Sequence, residues 1–362
     1  MNLEQTLKVL MLLPAPSGYE KEMAYAMKKE FSPFADSVII DRIGNAVATF
    51  EGTDKNAPPV MVYAHMDQLG FIVRKIEEDG FLQVDRLGGI PEKVLPGLNL
   101  LIRSENGKFH PGIIGMKSHH STPDEEKMKV DPVTSLFIDI GAKSAEEVRG
   151  MGIEVGCPAV YKPVFQKLLN EKICGTSFDN RGGCACLAYI ASNLKSVHPR
   201  PTVYLVGTVW EEFNLRGAMM AARAIKPEIA ICLDVVLSGD TPDLKSKYNT
   251  ALGEGAALTL YTFHGRGTLN GTLAHEGLRN LAISTSQEES IPLQRFASLG
   301  ILTDSAYLQF ENQGIASVEL GYPARYTHTP VETGNLKDIL HLGDLVIGML
   351  KRIDSDFDIN RY

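Results

Sequence analysis

A chain of 362 residues is too long for one ordinary domain and suits about two. Its hydrophobic share of 44% and charged share of 22% are those of an ordinary globular protein, and a net charge of −8 argues against nucleic acid as a partner. The five cysteines are odd in number and mostly sit in apolar runs, which speaks against a disulfide framework. The amphipathic, acid-bearing start MNLEQTLKVLMLLP does not read as a signal peptide, and no apolar run reaches membrane-span length, so a cytoplasmic chain without a membrane partner is expected.

Leu3, Leu7, Leu10 and Met11 are spaced for one helical face over residues 3–13, which Pro14 and Pro16 end. Ser17-Gly18 opens a second helix with Met23, Met27 and Phe31 along one side. Residues 37–40 and 46–50 read as strands joined by a Gly44-Asn45 turn. Val60–Ala64 is a compact apolar strand that ends at His65-Met66-Asp67. In an extended segment His65 and Asp67 share a face, so His65 can bind a metal while Asp67 orients it. From Gly70 the texture changes to short strands (71–76, 81–86, 99–103, 113–116) separated by Gly, Pro and Asn, with no helical pattern before 145–149. That reads as a small β-barrel or sandwich inserted at about 70–163. Its polar loop, 117–132, holds His119-His120, a pair read as solvated in preference to ligating.

The α/β rhythm resumes after Tyr161. Residues 172–176 lead to Asp179, and a helix from Arg181 to Leu194 carries Cys184 and Cys186 as small core residues. A buried strand containing Val203, Leu205, Val206 and Val209 stops at Glu211-Glu212, and a helix follows from Leu215 to Ile225. If the backbone is still extended there, the two glutamates face opposite ways, one free to hold a metal and the other to handle protons. Ile229–Leu233 is an apolar strand ending at Asp234. Residues 238–252 read as a surface loop, 256–263 as a strand and 273–283 as a helix, with Thr303-Asp304 as the N-cap of a helix over 306–310. Residues 315–320 form the last clear strand, His328 lies in the loop beyond it, and a helix over 335–352 closes the chain.

His65, Asp179, Glu212, Asp234 and His328 thus each stand at a strand end or in the loop beyond, where open α/β sheets bind ligands. Two histidines and three carboxylates make an N/O donor set suited to zinc, manganese or cobalt. Five ligands are too many for one tetrahedral zinc and suit two ions that share a carboxylate, for which Asp179 is the candidate bridge.

In this order the motifs AHMDQLG, SFDNRGG, VWEEFNLRGA, ICLD and RYTHTPVE resemble the M42 family of dinuclear metallo-aminopeptidases, the tetrahedral and glutamyl aminopeptidases, some of them labelled endoglucanases. The insert, with GGIPEKVLPG and IIGMKSHH, is similar to the family's second domain, so the resemblance spans nearly the whole chain. It implies an α/β fold: a mixed-sheet metallo-exopeptidase catalytic domain (1–69 and 164–362) with an inserted small β-barrel domain (70–163) used in dimerisation. It implies two divalent metal ions per subunit, zinc first, with cobalt or manganese as alternatives. His65 and Glu212 then bind different ions, Asp234 and His328 complete the two sites, Asp179 bridges, Glu211 is the general base and acid, and Asp67 supports His65. The implied reaction releases N-terminal residues from short peptides with a free N-terminus, in a homo-oligomer built from dimers, up to a dodecamer. A cis peptide at Asp179–Asn180 is implied as well. Two other classes stay open: a metal-dependent hydrolase of another amide, such as an N-acyl amino acid or amino sugar, and a non-catalytic oligomeric scaffold, against which the retained Glu211 argues. The chain departs from the family pattern at Asn180, at Gln68 and over Leu299–Leu302, and the resemblance carries no preference for a particular N-terminal residue.

Overall fold

The computed structural model describes residues 1–264 and 271–361. Helix α1 (Leu3–Met11) starts where the Asn2 side chain accepts the Gln5 N–H, and it buries the Leu3, Leu7, Leu10 and Met11 face. Helix α2 (Lys21–Phe31) begins later than Ser17-Gly18, because those residues are engaged elsewhere: the Ser17 hydroxyl donates to Asp67 and the Gly18 N–H to Glu20. Strands β1 (Ser37–Ile40) and β2 (Ala46–Phe50) form a hairpin, and β3 (Val60–His65) is buried at every position.

The chain then leaves the sheet. Strands β4 (Gly70–Ile76), β5 (Leu82–Leu87), β6 (Asn99–Arg103), β7 (Phe109–Ile114), β8 (Phe137–Asp139) and β9 (Pro158–Tyr161) close into an antiparallel barrel, with helix α3 (Ala145–Gly150) between the last two. A barrel, not a sandwich, is thus what the spacing encodes, and closure leaves no open edge. Phe71, Val84, Leu100, Ile102 and Ile138 fill it, and Val148 of α3 joins them, so the barrel has a core of its own.

The hairpin of β10 (Phe165–Lys167) and β11 (Lys172–Gly175) returns the chain to helix α4 (Phe178–Val197). At the start of α4, Asp179 and Asn180 are non-helical and joined by a cis peptide bond, as the resemblance implied. Then follow β12 (Val203–Thr208), α5 (Gly217–Ile225), β13 (Ile229–Leu237), β14 (Ala256–Phe263), β15 (Gly271–Leu273), α6 (Glu276–Glu288), β16 (Leu293–Leu299), α7 (Ser305–Leu308), β17 (Ala316–Ala324), β18 (Glu332–Asn335) and α8 (Leu336–Leu350).

Nine described strands form one mixed sheet in the order β1-β2-β12-β3-β13-β17-β14-β15, with β16 also on β14, while β18 joins the β10–β11 hairpin. The four central strands β12, β3, β13 and β17 run parallel. Both faces of these strands are covered, which explains their unbroken apolar runs. On β3, Val60, Val62 and Ala64 pack under α1, α2, α4 and α8, whereas Met61 and Tyr63 pack on the other face with Ala218, Ala221 and Ala222 of α5.

Three expectations are corrected here. Strand β13 does not end at Asp234 but continues to Leu237, because β17 pairs with it residue for residue from Ala316 to Ala324. The helix expected over 273–283 starts at Glu276, its first expected residue belonging to β15, and β16 had no counterpart in the sequence reading. Asp304 caps nothing with its side chain, because its carboxylate accepts the Thr208 hydroxyl instead.

Candidate active site

The carboxyl ends of the parallel strands meet at one point. His65 closes β3 in register with Thr208 of β12, and Asp234 lies on the neighbouring β13. His65 Nε2 is 3.1 Å from Asp179 Oδ1 and 3.9 Å from Asp234 Oδ1. His328 Nε2 is 3.7 Å from Asp179 Oδ2 and 4.0 Å from Glu212 Oε1. The donor atoms of His65, Asp179 and Asp234 lie within 4.8 Å of one another, and so do those of Asp179, Glu212 and His328. Asp179 belongs to both groups and turns one oxygen to each. All five residues proposed as ligands from the sequence converge, and Glu211 sits beside them with Oε2 3.9 Å from His65 Nε2. His119 and His120 do not: their rings meet edge to face, exposed, outside the cleft that holds the other residues.

Both imidazoles are aimed by main-chain carbonyls. Nδ1 of His65 faces the Asp67 carbonyl at 3.2 Å, and Nδ1 of His328 faces the Gly89 carbonyl at 2.8 Å. A carbonyl only accepts, so Nδ1 carries the proton and Nε2 is left toward the centre. Gly89 belongs to the barrel insertion, which therefore orients a residue of the other core.

The Asp67 carboxylate does something the sequence did not suggest. It lies 3.6 Å from His65 Nδ1 but accepts the Glu211 N–H at 3.1 Å, the Glu212 N–H at 3.0 Å and the Ser17 hydroxyl at 2.6 Å. The backbone carrying the two glutamates is not extended, since Trp210 has φ +61° and the chain turns. The two side chains nonetheless meet different histidines, Glu212 approaching His328 and Glu211 approaching His65, while an oxygen of each stays within 4.8 Å of the other and of a His65 nitrogen.

Glu332 is a supporting residue that sequence reasoning missed. Its two oxygens accept the Asp179 N–H at 3.0 Å and the His328 N–H at 2.7 Å, locking a bridge candidate to a terminal one. The signal was present in THTPVE, four residues beyond His328, but nothing local says where that carboxylate points. The departure at Asn180 is also satisfied: its amide donates to the Leu233 carbonyl at 2.8 Å and accepts from Gly183 N–H and Tyr322 hydroxyl. Asp304, buried behind the site, keeps one oxygen unpaired among the described residues.

The electrostatics ask for cations. Burial pushes the Glu212 carboxyl up to about 7, with Asp179 adding to it against His328. Burial and neighbouring acids likewise raise Glu211 and Asp234 well above the ordinary carboxylate range, against the pull of His65. Burial opposes a charge on His328, but Glu212 and Asp179 outweigh it and raise the imidazole to about 9. The cluster thus gathers protons to offset its own negative charge. Divalent ions do this better, and the mixed N/O set fits them.

A cleft of about 1120 Å³ opens over the cluster. The barrel contributes Arg86, Ile90 and Glu92 to one wall, and Val235, Ile301 and Leu302 form another.

A parallel-stranded α/β core with an inserted barrel, and a His/carboxylate centre at its strand ends, defines the metallo-aminopeptidase class of hydrolases. The chain belongs to the M42 peptidase family: residues 44–345 match M42 glutamyl aminopeptidase. It is 31% identical to lysyl aminopeptidase of Pyrococcus furiosus over 97% of this chain and 98% of that one. Among solved structures, it is similar to the aminopeptidase APDkam598 from the archaeon Desulfurococcus kamchatkensis, with a TM-score of 0.92, 32% identity, and 98% and 96% of the two chains covered. It is also similar to the Pyrococcus horikoshii TET1 peptidase, which can assemble into a tetrahedron or a large octahedral shell, with a TM-score of 0.84, 26% identity, and 96% and 98% covered. The protein is therefore a hydrolase acting on peptides, in a family that uses divalent metal. No described helix is long and apolar enough to cross a membrane.

Proposed function

We propose that this chain is a dinuclear-metal aminopeptidase that releases N-terminal residues from short peptides. The observation that carries the reading is Asp179, which divides its two oxygens between the His65–Asp234 pair and the Glu212–His328 pair. His65 and Asp234 would hold one divalent ion, Glu212 and His328 the other, with Asp179 bridging and zinc, cobalt or manganese as the metal. When bound, the two ions supply Lewis acidity toward the scissile carbonyl and the attacking water.

Glu211 is the proton carrier in this reading. Its main-chain N–H is held by Asp67, leaving its carboxylate directed at the centre beside His65. It takes a proton from the attacking water as the new C–O bond forms, then hands that proton to the amine nitrogen as the C–N bond breaks. Asp67 is a positioning residue, holding both glutamates by their backbones. The cleft admits an extended peptide end, with the barrel wall facing the catalytic core.

The division into a catalytic unit (1–69 and 164–362) and a barrel unit (70–163) belongs to the same proposal, and so does assembly into a dimer-based homo-oligomer. Phe109, Ile113 and Phe137 stand exposed on the outside of the barrel, which suits a contact between copies, and the TET1 peptidase, with a dodecamer in one of its structures, offers a precedent for a dimer-based assembly up to a dodecamer. All five cysteines are free, which suits a reducing compartment such as the cytoplasm.

The experiment is metal analysis joined to an activity panel of free-N-terminus dipeptides and their N-acetylated counterparts, with Zn, Co and Mn added separately. About two ions per chain and cleavage of the free-amine peptides alone are expected. Preference for the acetylated set would move the protein to another class of amide hydrolase.

A further inference from the structure

The turn that carries Glu211 is held in an unusual way. Four consecutive backbone N–H groups, those of Val209 to Glu212, are each received by a side-chain oxygen and not by a strand or helix neighbour. Val209 N–H donates to Asn45 Oδ1 at 3.0 Å, and Trp210 N–H to Glu20 Oε1 at 3.2 Å. The next two donate to the two oxygens of Asp67. Asn45 also grips the far end of the turn, donating from Nδ2 to the Gly217 carbonyl at 3.1 Å. The turn closes on itself through Leu215 N–H to the Glu211 carbonyl at 2.8 Å and Arg216 N–H to the Trp210 carbonyl at 3.2 Å.

Asn45 and Glu20 are themselves fixed. Asn45 is fully buried, and its Nδ2 also donates to Asp41 at 2.8 Å; Asp41 in turn receives the N–H groups of Ile43, Gly44 and Asn45. Glu20 is 5% exposed, and the Gly18 N–H donates to the same oxygen that holds Trp210. Neither residue touches the cleft. Between them they hold Trp210, a non-glycine residue at φ +61°, in a conformation that local preference alone does not select.

We propose that Glu20 and Asn45 are positioning residues of the peptidase reaction. By receiving the Trp210 and Val209 N–H groups they set the direction in which Glu211 leaves the backbone. This rests on Glu211 being the proton carrier. Proton transfer needs the carboxylate within hydrogen-bond reach of the water, and a misplacement of about 1 Å can cost roughly 10²-fold. The ligands His65, Asp179, Asp234 and His328 are held by other contacts, and Glu212, on the same turn, keeps its own N–H on Asp67, so loss of Glu20 should leave metal binding in place.

The test uses the metal-loaded protein and compares Glu20→Ala with Glu20→Gln, whose amide oxygen still accepts the Trp210 N–H. Glu20→Ala is expected to lower kcat by about 10- to 100-fold, with KM and metal content unchanged, and Glu20→Gln to stay within about threefold of the parent. In a Glu211→Gln background, adding Glu20→Ala should cost nothing further, because the group it positions is gone. Unchanged kcat in Glu20→Ala, equal losses in the Ala and Gln variants, additive losses in the double variant, or a loss that tracks missing metal would each overturn the proposal. If Glu20→Ala does not fold, Asn45→Ala is read by the same kcat, KM, metal and double-variant criteria. An active Glu211→Gln enzyme would sink the underlying reading of Glu211, and this inference with it. An inactive Glu211→Gln enzyme beside a fully active Glu20→Ala enzyme would sink the positioning role alone.

Discussion

Asp179 faces His65 with one oxygen and His328 with the other, and its N–H is anchored by Glu332. Around it the residue types divide the labour, and the two adjacent glutamates can be told apart. Glu212→Ala removes an oxygen from the His328 side, so metal content measured by elemental analysis should fall from about two ions toward one per chain. Glu211→Gln keeps both ions and its shape, and kcat should drop roughly 10²–10⁴-fold with little change in KM. Metal loss in Glu211→Gln with full metal in Glu212→Ala would mean the roles are reversed. A second prediction concerns Gln68. Its carbonyl oxygen accepts from Ala15 N–H and from Arg181 Nη2, both at 3.0 Å. Arg181 is fully buried, and its Nε and Nη1 have no partner among the described residues. Gln68→Glu would put a carboxylate against a guanidinium that is already desolvated, so thermal unfolding should show a gain of about 1–3 kcal/mol. A lower melting temperature would mean that the added charge is not accommodated there.

At the scale of elements, the turn over 209–217 and the parallel strands beside it decide the geometry. A Cβ on Gly217 would lie 2.0 Å from the Val209 carbonyl oxygen, because the two ends of the turn touch. Gly217→Ala must therefore force the ends apart. We expect destabilisation of about 1–3 kcal/mol together with a fall in kcat, read by thermal unfolding and steady-state kinetics. An unchanged kcat in a destabilised enzyme would separate the turn's stability from the aim of Glu211. Strand β13 shows how neighbours override local texture. Asp234 interrupts an apolar run, yet pairing with β17 carries the strand three residues past it to Leu237. The acid consequently projects from a strand held on both sides over Ile229–Cys232, by β3 and β17, and by β17 beyond them.

At the scale of the whole molecule, two cores are joined through the site, since the barrel's Gly89 carbonyl orients His328. The buried charge also couples folding to pH. Burial raises Glu212 and Asp304 to about 7 and Glu332 to about 8, each also raised by neighbouring carboxylates and lowered by histidine. Unfolded, such groups titrate near about 4, so between about pH 4 and 8 the folded chain binds more protons than the unfolded one, and stability falls as pH rises. His328, raised to about 9, acts with the same sign: its contribution is complete below the unfolded value near 6.5 and is lost as pH rises through about 9. Chelator-stripped protein should therefore show a melting temperature that declines from about pH 5 to 9, and restored divalent ions should flatten the decline by replacing the protons. Calorimetry across that range checks it, and a flat or rising curve for the stripped protein would contradict it.

The sequence by itself marked the candidate donor set and its order along the chain, and it identified the family. Metal chemistry admits few residue types, and each stands next to a strand or helix that its own apolar periodicity announces. The β-rich insert was legible for the same reason, as closely spaced short strands between turn residues, but only strand closure decided for a barrel over a sandwich. Tertiary structure alone decided which Asp179 oxygen faces which histidine, that β13 runs through Asp234, that β16 exists, and that Asp304 binds Thr208 and caps no helix. It also recruited Asn45 and Glu20, which no local pattern marks, and aimed the Glu332 carboxylate, which its place near His328 does not settle. A backbone N–H in a turn needs an acceptor, but its position does not say which acceptor. For Val209 and Trp210 the partners lie 164 and 190 positions away in sequence, and only the packing of the finished sheet brings them there.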